Sequence, residues 1–196
     1  MGEDSRGMRN DRPEDAQLVH GGKHLEFCLT SGGWEYVRRR EVKGTVAIVA
    51  ITDDKLLILT EQYRPPVGKK VIELPAGLAG DLPYQADEPL ESAARRELKE
   101  ETGYVAKNWT ALREGPSSAG LTSETITFYY ATGLTKMGEG GGDHTEDIRV
   151  HFVPIRDVPS WCADREREGL MVDFKIYAGL YLVRSRSQLN EARLWY

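Results

Sequence analysis

The stretch that decides the fold reads AARRELKEETGY and spans residues 93–104. Its glutamates Glu97, Glu100 and Glu101 fall within five residues. In a helix, residues three and four apart share a face, so Glu97 lies beside both of the others, and like charges at that spacing repel by a few tenths of a kcal/mol per pair. The sequence therefore predicts a helix with a built-in electrostatic cost, and that cost needs a reason.

A bound divalent cation would remove this repulsion. Hard cations such as Mg²⁺ take oxygen ligands, usually one or two carboxylates together with water and substrate phosphate. The alternative is an ordinary solvated helix face, on which Glu91 and Arg95 pair at a spacing of four residues. For a bare cluster of glutamates the solvated face is the commoner case, so the flanking sequence has to decide.

The flanking sequence extends the glutamate cluster into a longer pattern. Its positions are Gly77, Glu88, Arg96, Glu97, Leu98, Glu100, Glu101, Gly103 and Tyr104. This series resembles the Nudix box, and from Glu88 onward the spacing matches at every fixed position. It departs from the box in two places: ten residues rather than five separate Gly77 from Glu88, and Tyr104 replaces an aliphatic residue.

The resemblance implies a loop, helix and loop that bind metal. Glu97 and Glu101 would be the principal ligands, with Glu100 assisting them as a ligand and in catalysis, and the carbonyl of Ala76 is a further ligand candidate. The expected metal is Mg²⁺, with Mn²⁺ as an alternative.

Two charged residues of the same pattern are expected to support the ligands. The resemblance implies that Arg96, counted among the catalytic residues, holds the carboxylates in place through a salt bridge. Glu88 is expected to brace the helix rather than to touch metal.

Two further segments, WEYVRR at residues 34–39 and EQYRPPVGKKVIELPAG at residues 61–77, resemble the branch of the family that cleaves ADP-ribose and other nucleoside diphosphate sugars. With these segments the likeness covers residues 23–185 approximately. Members of that branch are dimers whose N-terminal strands reach over the partner. The resemblance thus implies a homodimer.

The same likeness implies four substrate-binding residues. Trp34 would stack on the nucleobase, Arg39 and Arg64 would contact the diphosphate or its surroundings, and Glu73 would line the site. Stacking on an aromatic ring contributes about 1–3 kcal/mol per base. Read without the family, Trp34 could equally cap a hairpin, and Arg39, in a row of three arginines, would be an ordinary solvated strand residue.

Hydrolysis of a diphosphate also needs a group that accepts a proton from the attacking water. Relatives carry this carboxylate on a loop before a late strand, which corresponds to GEGGGDHTEDIRVHFVP, residues 138–154. Alignment on the strand makes Glu146 the expected base and Asp143 the second candidate. The glycines of this loop are consistent with a flexible turn or with a loop that closes over substrate.

The coarse pattern predicts strands around a central helix followed by a C-terminal helix, an α+β arrangement, and the resemblance makes it the Nudix fold, with mixed β-sheets sandwiched with helices. Residues 1–21 are polar without periodicity, which predicts a loose arm, and residues 22–42 are predicted to form an N-terminal hairpin. The resemblance implies that this hairpin forms the dimer and that residues 43–196 are the catalytic domain. The apolar runs GTVAIVAI and KLLILT predict strands buried on both faces. Near the C-terminus a helix is expected to bury the spaced residues Leu170, Phe174, Tyr177, Ala178 and Tyr181.

Composition excludes several classes of protein. The 26 basic residues are scattered within a net charge of −5, so neither a nucleic-acid surface nor a polybasic membrane patch is predicted. No apolar run approaches the roughly 18 residues of a membrane span. The two cysteines fit no metal spacing, and with no apolar leader the expectation is a cytoplasmic protein with reduced thiols.

The substrate is predicted only as a class, the nucleoside diphosphate sugars. ADP-ribose-cleaving relatives tend to carry Ser-Pro-Gly where this chain has Ser118-Ala119-Gly120, which weakens the case for ADP-ribose in particular. One alternative is a Nudix hydrolase of nucleoside triphosphates or dinucleoside polyphosphates, which would have no reason for the two extra segments. Another is a non-catalytic ADP-ribose-binding module, which would tolerate loss of the carboxylates that this chain retains.

Overall fold

The computed structural model describes residues 16–82, 84, 86–142 and 147–187. Within these ranges the strands are β1 (Gln17–Gly21), β2 (Leu25–Leu29), β3 (Glu35–Arg39), β4 (Gly44–Ala50), β5 (Leu56–Arg64), β6 (Lys69–Glu73), β7 (Ala76–Ala79), β8 (Tyr104–Pro116), β9 (Thr125–Lys136), β10 (Arg149–Pro154) and β11 (Met171–Val172). The helices are α1 (Leu90–Thr102), α2 (Val158–Arg167) and α3 (Lys175–Ser187), with 3₁₀ turns at Pro65–Val67 and Ile155–Asp157. None of these helices is both long and apolar enough to cross a membrane.

Two mixed four-stranded sheets form the body of the protein, in the orders β7-β4-β9-β8 and β10-β5-β6-β11. In the first sheet β4 pairs parallel with β9 and antiparallel with β7. In the second, β5 pairs antiparallel with β6 and β10, and β11 pairs parallel with β6. The expectation of an α+β fold with mixed sheets and packed helices is therefore confirmed.

The central strands β4 and β5 are buried on both faces, as their apolar runs predict. Alternate residues of β4 enter two different clusters: Ala47 and Val49 pack with α2 and α3, whereas Val46 and Ile48 pack with α1. Because side chains alternate across a strand, each central strand contributes to both halves of the core. The helix that carries the glutamate cluster is thus fixed to the most buried part of the fold.

Local sequence accounts for the limits of helix α1. Ala, Leu, Arg, Lys and Glu, which dominate it, are strong helix formers. Pro89 precedes the helix in an extended conformation, and Gly103 ends it in the left-handed region with φ 75°, donating its N–H to the Lys99 carbonyl at 2.9 Å. Its apolar face, including Ala94 and Leu98, is fully buried, so the glutamates lie on the remaining face and at its edges.

The N-terminal hairpin is confirmed as β2 and β3, and β1 adds a third antiparallel strand to it. The expectation of a loose arm is therefore wrong for Gln17–Gly21, where β1 pairs with β2, and residues 1–15 lie outside the described part of the chain. The polar sequence did not indicate a strand, because an edge strand of a small sheet can be exposed along its whole length, as β1 is.

The N-terminal sheet is attached to the body of its own chain. Val37 donates its N–H to the Leu121 carbonyl at 2.9 Å and accepts from the Ser123 N–H at 3.2 Å. These bonds form a short parallel bridge between β3 and the segment before β9. The hairpin is therefore not a free appendage of the subunit.

The C-terminal helix is confirmed, but the predicted buried face is wrong. Phe174, Tyr177 and Tyr181 are exposed, at 82%, 40% and 69%, whereas the competing stripe of Ile176, Leu180 and Val183 is buried. The reason lies in Gly179, where an added Cβ would lie 2.7 Å from Val49 Cγ2. Close approach of α3 to β4 requires this glycine, and the approach turns the aliphatic stripe inward.

The longest strand, β8, was not predicted. It pairs with β9 over most of its length and contains a bulge between Ala111 and Glu114. Most of its residues are half-buried or exposed, so it lacks the alternation that marks a strand in sequence. The late strand expected within residues 138–154 is confirmed as β10.

Candidate functional site

Arg96 is the centre of a network of charged groups on α1. Its Nε and Nη2 each donate to Glu88 at 3.2 Å, its Nη1 donates to Glu97 at 2.8 Å and to Glu100 at 3.1 Å, and its Nη2 also donates to the Leu78 carbonyl at 2.8 Å. Hydrogen bonds between ions are roughly twice as strong as neutral ones. One guanidinium thus ties the helix to β7 and orients two of the glutamates, as the salt bridge expected of Arg96 requires.

Glu88 lies outside the helix and braces it. The residue is 8% exposed and, besides its contacts with Arg96, accepts a hydrogen bond from the Gly80 N–H at 3.4 Å. Its carboxylate is therefore occupied by the polypeptide itself. The structural role expected for Glu88 is in keeping with these contacts.

Two of the ligand candidates, Glu97 and Glu101, converge on the start of β7. Glu101 accepts a hydrogen bond from the Ala76 N–H at 3.1 Å, and a Cβ added to Gly77 would lie 1.9 Å from Glu97 Cδ. Glu97 and Glu101 are 9% and 2% exposed, so both carboxyl groups are nearly enclosed. The structure therefore brings Ala76, Glu97 and Glu101 together, and any side chain at position 77 would displace the Glu97 carboxyl group.

The burial of Glu97 has an electrostatic consequence. Burial raises the pKa of Glu97 to about 7, even though the charge and hydrogen bond of Arg96 oppose the rise. The neighbouring charges of Glu100 and Asp81 raise it further. The enclosed site is therefore too negative to hold all its carboxylates ionised at low cost without another positive charge.

The oxygen atoms of the ligand candidates fit a hard divalent cation, although Glu97 and Glu100 are bonded to Arg96 in this structure. Among the described residues, no three His, Cys, Asp or Glu side chains are grouped as a metal site. In this structure Arg96 Nη1 donates to both Glu97 and Glu100. Carboxylate and carbonyl oxygens are nevertheless the donors that Mg²⁺ and Mn²⁺ take, and the Gly77 backbone leaves the space in which the Glu97 carboxyl group lies.

The two candidate bases, Glu146 and Asp143, lie outside the described residues. The residues that precede them contact the C-terminal end of α1, and Ile148, which follows them, contacts Gly141. Gly141 donates its N–H to the Glu101 carbonyl at 2.8 Å, and Ile148 donates its N–H to the Gly141 carbonyl at 3.2 Å. Gly141 thus links the flanks of the candidate bases to the carboxylate-bearing helix.

Arg64 and Glu73, both expected to bind substrate, form an ion pair with each other. Arg64 Nε donates to Glu73 at 2.7 Å across β5 and β6. Burial raises the pKa of the Glu73 carboxyl, and Arg64 acts against this rise. Glu73 ends β6 three residues before Ala76, so this pair lies near the metal candidates along the chain.

The remaining substrate candidates, Arg39 and Trp34, belong to the N-terminal sheet and its turn. Arg39 Nε donates to Glu124, which also accepts from the Thr45 hydroxyl at 3.1 Å. Burial alone would raise the pKa of Glu124, but the bond and charge of Arg39, with other hydrogen bonds, hold it below its usual value. Trp34 follows the hairpin turn and is 60% exposed, so its ring is open to contact.

Sequence reasoning missed three features of the site. Glu124 anchors Arg39, Asp81 lies 3.3 Å from Arg96, and the backbone of residues 138–142 contacts the end of α1. Asp81 belongs to the long spacer between Gly77 and Glu88, and that unusual length is the one signal that could have indicated it. Pro83 in the same spacer is not among the described residues.

Comparison with known proteins agrees with this geometry. The NUDIX domain model matches residues 42–174. The chain is 36% identical over 143 residues to an ADP-ribose pyrophosphatase of Mycobacterium tuberculosis, covering 72% of this chain and 65% of that protein, just under two thirds of its length. It is 31% identical over 201 residues to an ADP-sugar pyrophosphatase of Mus musculus, covering 88% of this chain and 87% of that protein.

A solved structure supports the fold alone. The crystal structure of an ADP compounds hydrolase superposes with a TM-score of 0.67 and 24% sequence identity, covering 89% of this chain and 92% of that one. The predicted Nudix fold is thereby confirmed.

The raised pKa of Glu97 predicts a pH-dependent stability without metal. Below about pH 4.5 both folded and unfolded chains are protonated at this site; between that value and about 7 the folded chain keeps a proton that the unfolded chain loses, so stability falls as pH rises. Glu97→Gln removes this loss. In a chelator, its melting temperature should exceed that of the parent protein by more at about pH 8.5 than at about pH 5.

Glu91→Gln is the matched control, because Glu91 lies on the same helix but is exposed and pairs with Arg95. Its effect on the melting temperature should be small at both pH values. Equal melting temperatures for Glu97→Gln and the parent protein across this range would show that ionisation of Glu97 does not lower the stability of the fold.

Proposed function

This chain belongs to the Nudix family, and we propose that it hydrolyses the diphosphate bond of ADP-ribose or another nucleoside diphosphate sugar. Water would attack one phosphorus, the bond to the bridging oxygen would break, and the products would be a nucleoside monophosphate and a sugar phosphate. The observation that carries the proposal is the convergence of Glu97 and Glu101 on the Ala76–Gly77 backbone. The similarity to an ADP-sugar pyrophosphatase over most of both chains supports the substrate class.

Nudix hydrolases generally use a divalent metal. For this chain we propose Mg²⁺, with Mn²⁺ as the alternative, held by Glu97, Glu101, Glu100 and the carbonyl of Ala76. Bound there, the ion would lower the pKa of a water ligand and neutralise charge on the diphosphate. Arg96 would orient Glu97 and Glu100 through the contacts it already makes with both.

We propose Glu146 as the general base, with Asp143 as the second candidate. Support comes from the flanking residues, because Gly141 and Ile148 are bonded to each other and Gly141 is bonded to the Glu101 carbonyl. The segment that carries Glu146 is therefore flanked on one side by a residue bonded to the backbone of a ligand candidate, and on the other by a residue bonded to Gly141. A base on this segment would accept the proton of the attacking water.

The substrate would be held by two arginines and an aromatic ring. Arg64 and Arg39 each have a carboxylate partner, Glu73 and Glu124, which fixes the side chain before substrate arrives. An arginine held in this way loses little conformational entropy on binding a phosphate. Trp34, with its exposed ring, would stack on the nucleobase.

The alternatives from the sequence are less well supported. A hydrolase of nucleoside triphosphates or dinucleoside polyphosphates would not need Arg39 and Trp34 on an added sheet. A non-catalytic ADP-ribose-binding module would not need Glu97 buried at a cost, with a pKa raised to about 7. We also propose a cytoplasmic location, supported by Cys28 and Cys162, which are both buried and unpaired.

The proposed reaction predicts defined products. With Mg²⁺ and a panel of ADP-ribose, other nucleoside diphosphate sugars, dinucleoside polyphosphates and triphosphates, chromatography should show a nucleoside monophosphate and a sugar phosphate from the first two classes. Glu97→Gln and Glu101→Gln should each reduce turnover by orders of magnitude, because each removes a charged metal ligand.

Glu91→Gln is again the matched control and should retain normal turnover, since Glu91 contacts Arg95 on the exposed side of the helix. Release of free sugar or of inorganic phosphate would indicate different chemistry. Near-normal turnover of Glu101→Gln at saturating Mg²⁺ would remove Glu101 from the metal site.

The two candidate bases can be ranked by kinetics. Glu146→Gln should lower kcat by about 10²–10⁴-fold with a much smaller change in KM, because a base acts in the transition state. Asp143→Asn should have a smaller effect. The opposite ranking would assign the base to Asp143, and small effects of both would leave no role for either as base.

We further propose that the protein is a homodimer that uses its N-terminal sheet. Val19 and Leu25 on that sheet are large apolar residues exposed at 52% and 47%. Light scattering should give about twice the 22.0 kDa of one chain. Combined Val19→Glu and Leu25→Glu should halve that mass, whereas Met137→Glu, also at an exposed apolar residue but outside the sheet, should not; a wild-type monomer would contradict the proposal.

A further inference from the structure

The glycine-rich segment before the candidate base is docked on the end of α1. Gly141 and Gly142 donate their N–H groups to the backbone carbonyls of Glu101 and Glu100, at 2.8 and 3.1 Å. Met137 donates its N–H to the Gly103 carbonyl at 2.8 Å. Residues 137–142 therefore form a hydrogen-bonded layer over the last turn of the helix.

Glycine is required where the two backbones touch. Gly140 has a φ of 73°, and a Cβ there would lie 2.4 Å from the Thr102 carbonyl carbon and 2.7 Å from the Glu101 carbonyl oxygen. Gly103 has a φ of 75°, and its Cβ would lie 2.2 Å from the Gly138 carbonyl oxygen. Because the obstacles are backbone atoms, no change of side-chain rotamer could relieve either collision.

Two of these contacts fall on the backbone of metal-ligand candidates. The last four carbonyls of a helix have no partner within the helix and are ordinarily satisfied by water or a capping group. Here the two acceptors are the carbonyls of Glu100 and Glu101, whose side chains are the candidate ligands of the last turn. The glycine segment thus fixes the backbone from which these two carboxylates extend.

We propose that Gly140, Gly141 and Gly142 are positioning residues for the metal site, acting through the backbone of Glu100 and Glu101. This inference rests on the proposed function, because it requires those glutamates to be ligands. Gly140 permits the close approach, and the amides of Gly141 and Gly142 hold the helix end. Partners of metal ligands commonly change metal affinity by about 10–100-fold when they are lost.

Linkage makes the effect reciprocal. If docking of the glycine segment favours metal binding, metal binding must favour docking by the same factor. The amides of Gly141 and Gly142 should then exchange more slowly with solvent when the metal is bound. This consequence can be measured in the unmodified protein.

The first test is a titration of the protein with Mn²⁺ in the absence of substrate. Electron paramagnetic resonance measures the concentration of free ion. Gly140→Ala should bind Mn²⁺ about 10–100-fold more weakly than wild type. Gly138→Ala should stay within about twofold, because its Cβ would meet no atom within 4 Å.

Gly169→Ala separates positioning from simple loss of stability. Gly169 has a φ of 93° and no atom within 4 Å of an added Cβ, so alanine there carries backbone strain without touching α1. It should lower the melting temperature and leave Mn²⁺ affinity unchanged. Equal losses of affinity in Gly169→Ala and Gly140→Ala would overturn the inference.

The second test is hydrogen exchange of wild-type protein with and without Mg²⁺, which decides the question even if Gly140→Ala does not fold. Slower exchange at residues 141 and 142 with the ion supports the inference, and unchanged exchange overturns it. If Gly140→Ala is folded and binds Mn²⁺ as wild type does, the inference fails while the proposed function stands. If wild type itself binds no divalent ion, both the proposed function and this inference are wrong.

Discussion

The interaction on which the site depends is the contact of one guanidinium with several carboxylates. Arg96 lies within 3.3 Å of oxygens of Asp81, Glu88, Glu97 and Glu100, so a single positive charge faces four negative ones. Buried ions are costly unless they are paired. Arg96 is sufficient to hold these groups in place but not to neutralise them, and the deficit is what a divalent cation would supply. A cation bound at this cluster would therefore relieve the repulsion within the helix and the shortage of positive charge together.

Two close backbone contacts keep that helix in place. Gly77 of β7 leaves space for the Glu97 carboxyl group on one face of the helix. Gly140 allows its own backbone to contact the last turn of α1. A Cβ at either position would lie closer than 3.0 Å to its neighbour, which real side chains do not tolerate. The helix therefore fits between two segments that are far apart in sequence, and both segments contact it through main-chain atoms, which move less readily than side chains.

Local chemistry in the sequence predicted the helix over the glutamate cluster and the central buried strands, whereas the resemblance to the Nudix box named the residues that meet at β7. Gly103 ends the helix because only a residue tolerant of positive φ suits that position, and this rule can be read from sequence. The contacts of Glu124 with Arg39, and of Gly141 with Glu101, could not be predicted, because each joins residues tens of positions apart. The buried face of α3 was mistaken for the same reason: Gly179 selects the face through its contact with β4, and no periodicity within the helix reveals that contact.

The long spacer between Gly77 and Glu88 illustrates how a departure from a motif can still serve the site. Its residue Asp81 pairs with Arg96, and its charge is among the causes that raise the pKa of Glu97. The spacer therefore adds a carboxylate to a cluster that is already short of positive charge. A longer loop at this position would otherwise only add conformational entropy to the unfolded chain. With Asp81 bound to Arg96, the extra length instead increases the electrostatic demand for a cation, so the loop and the helix act on the same equilibrium.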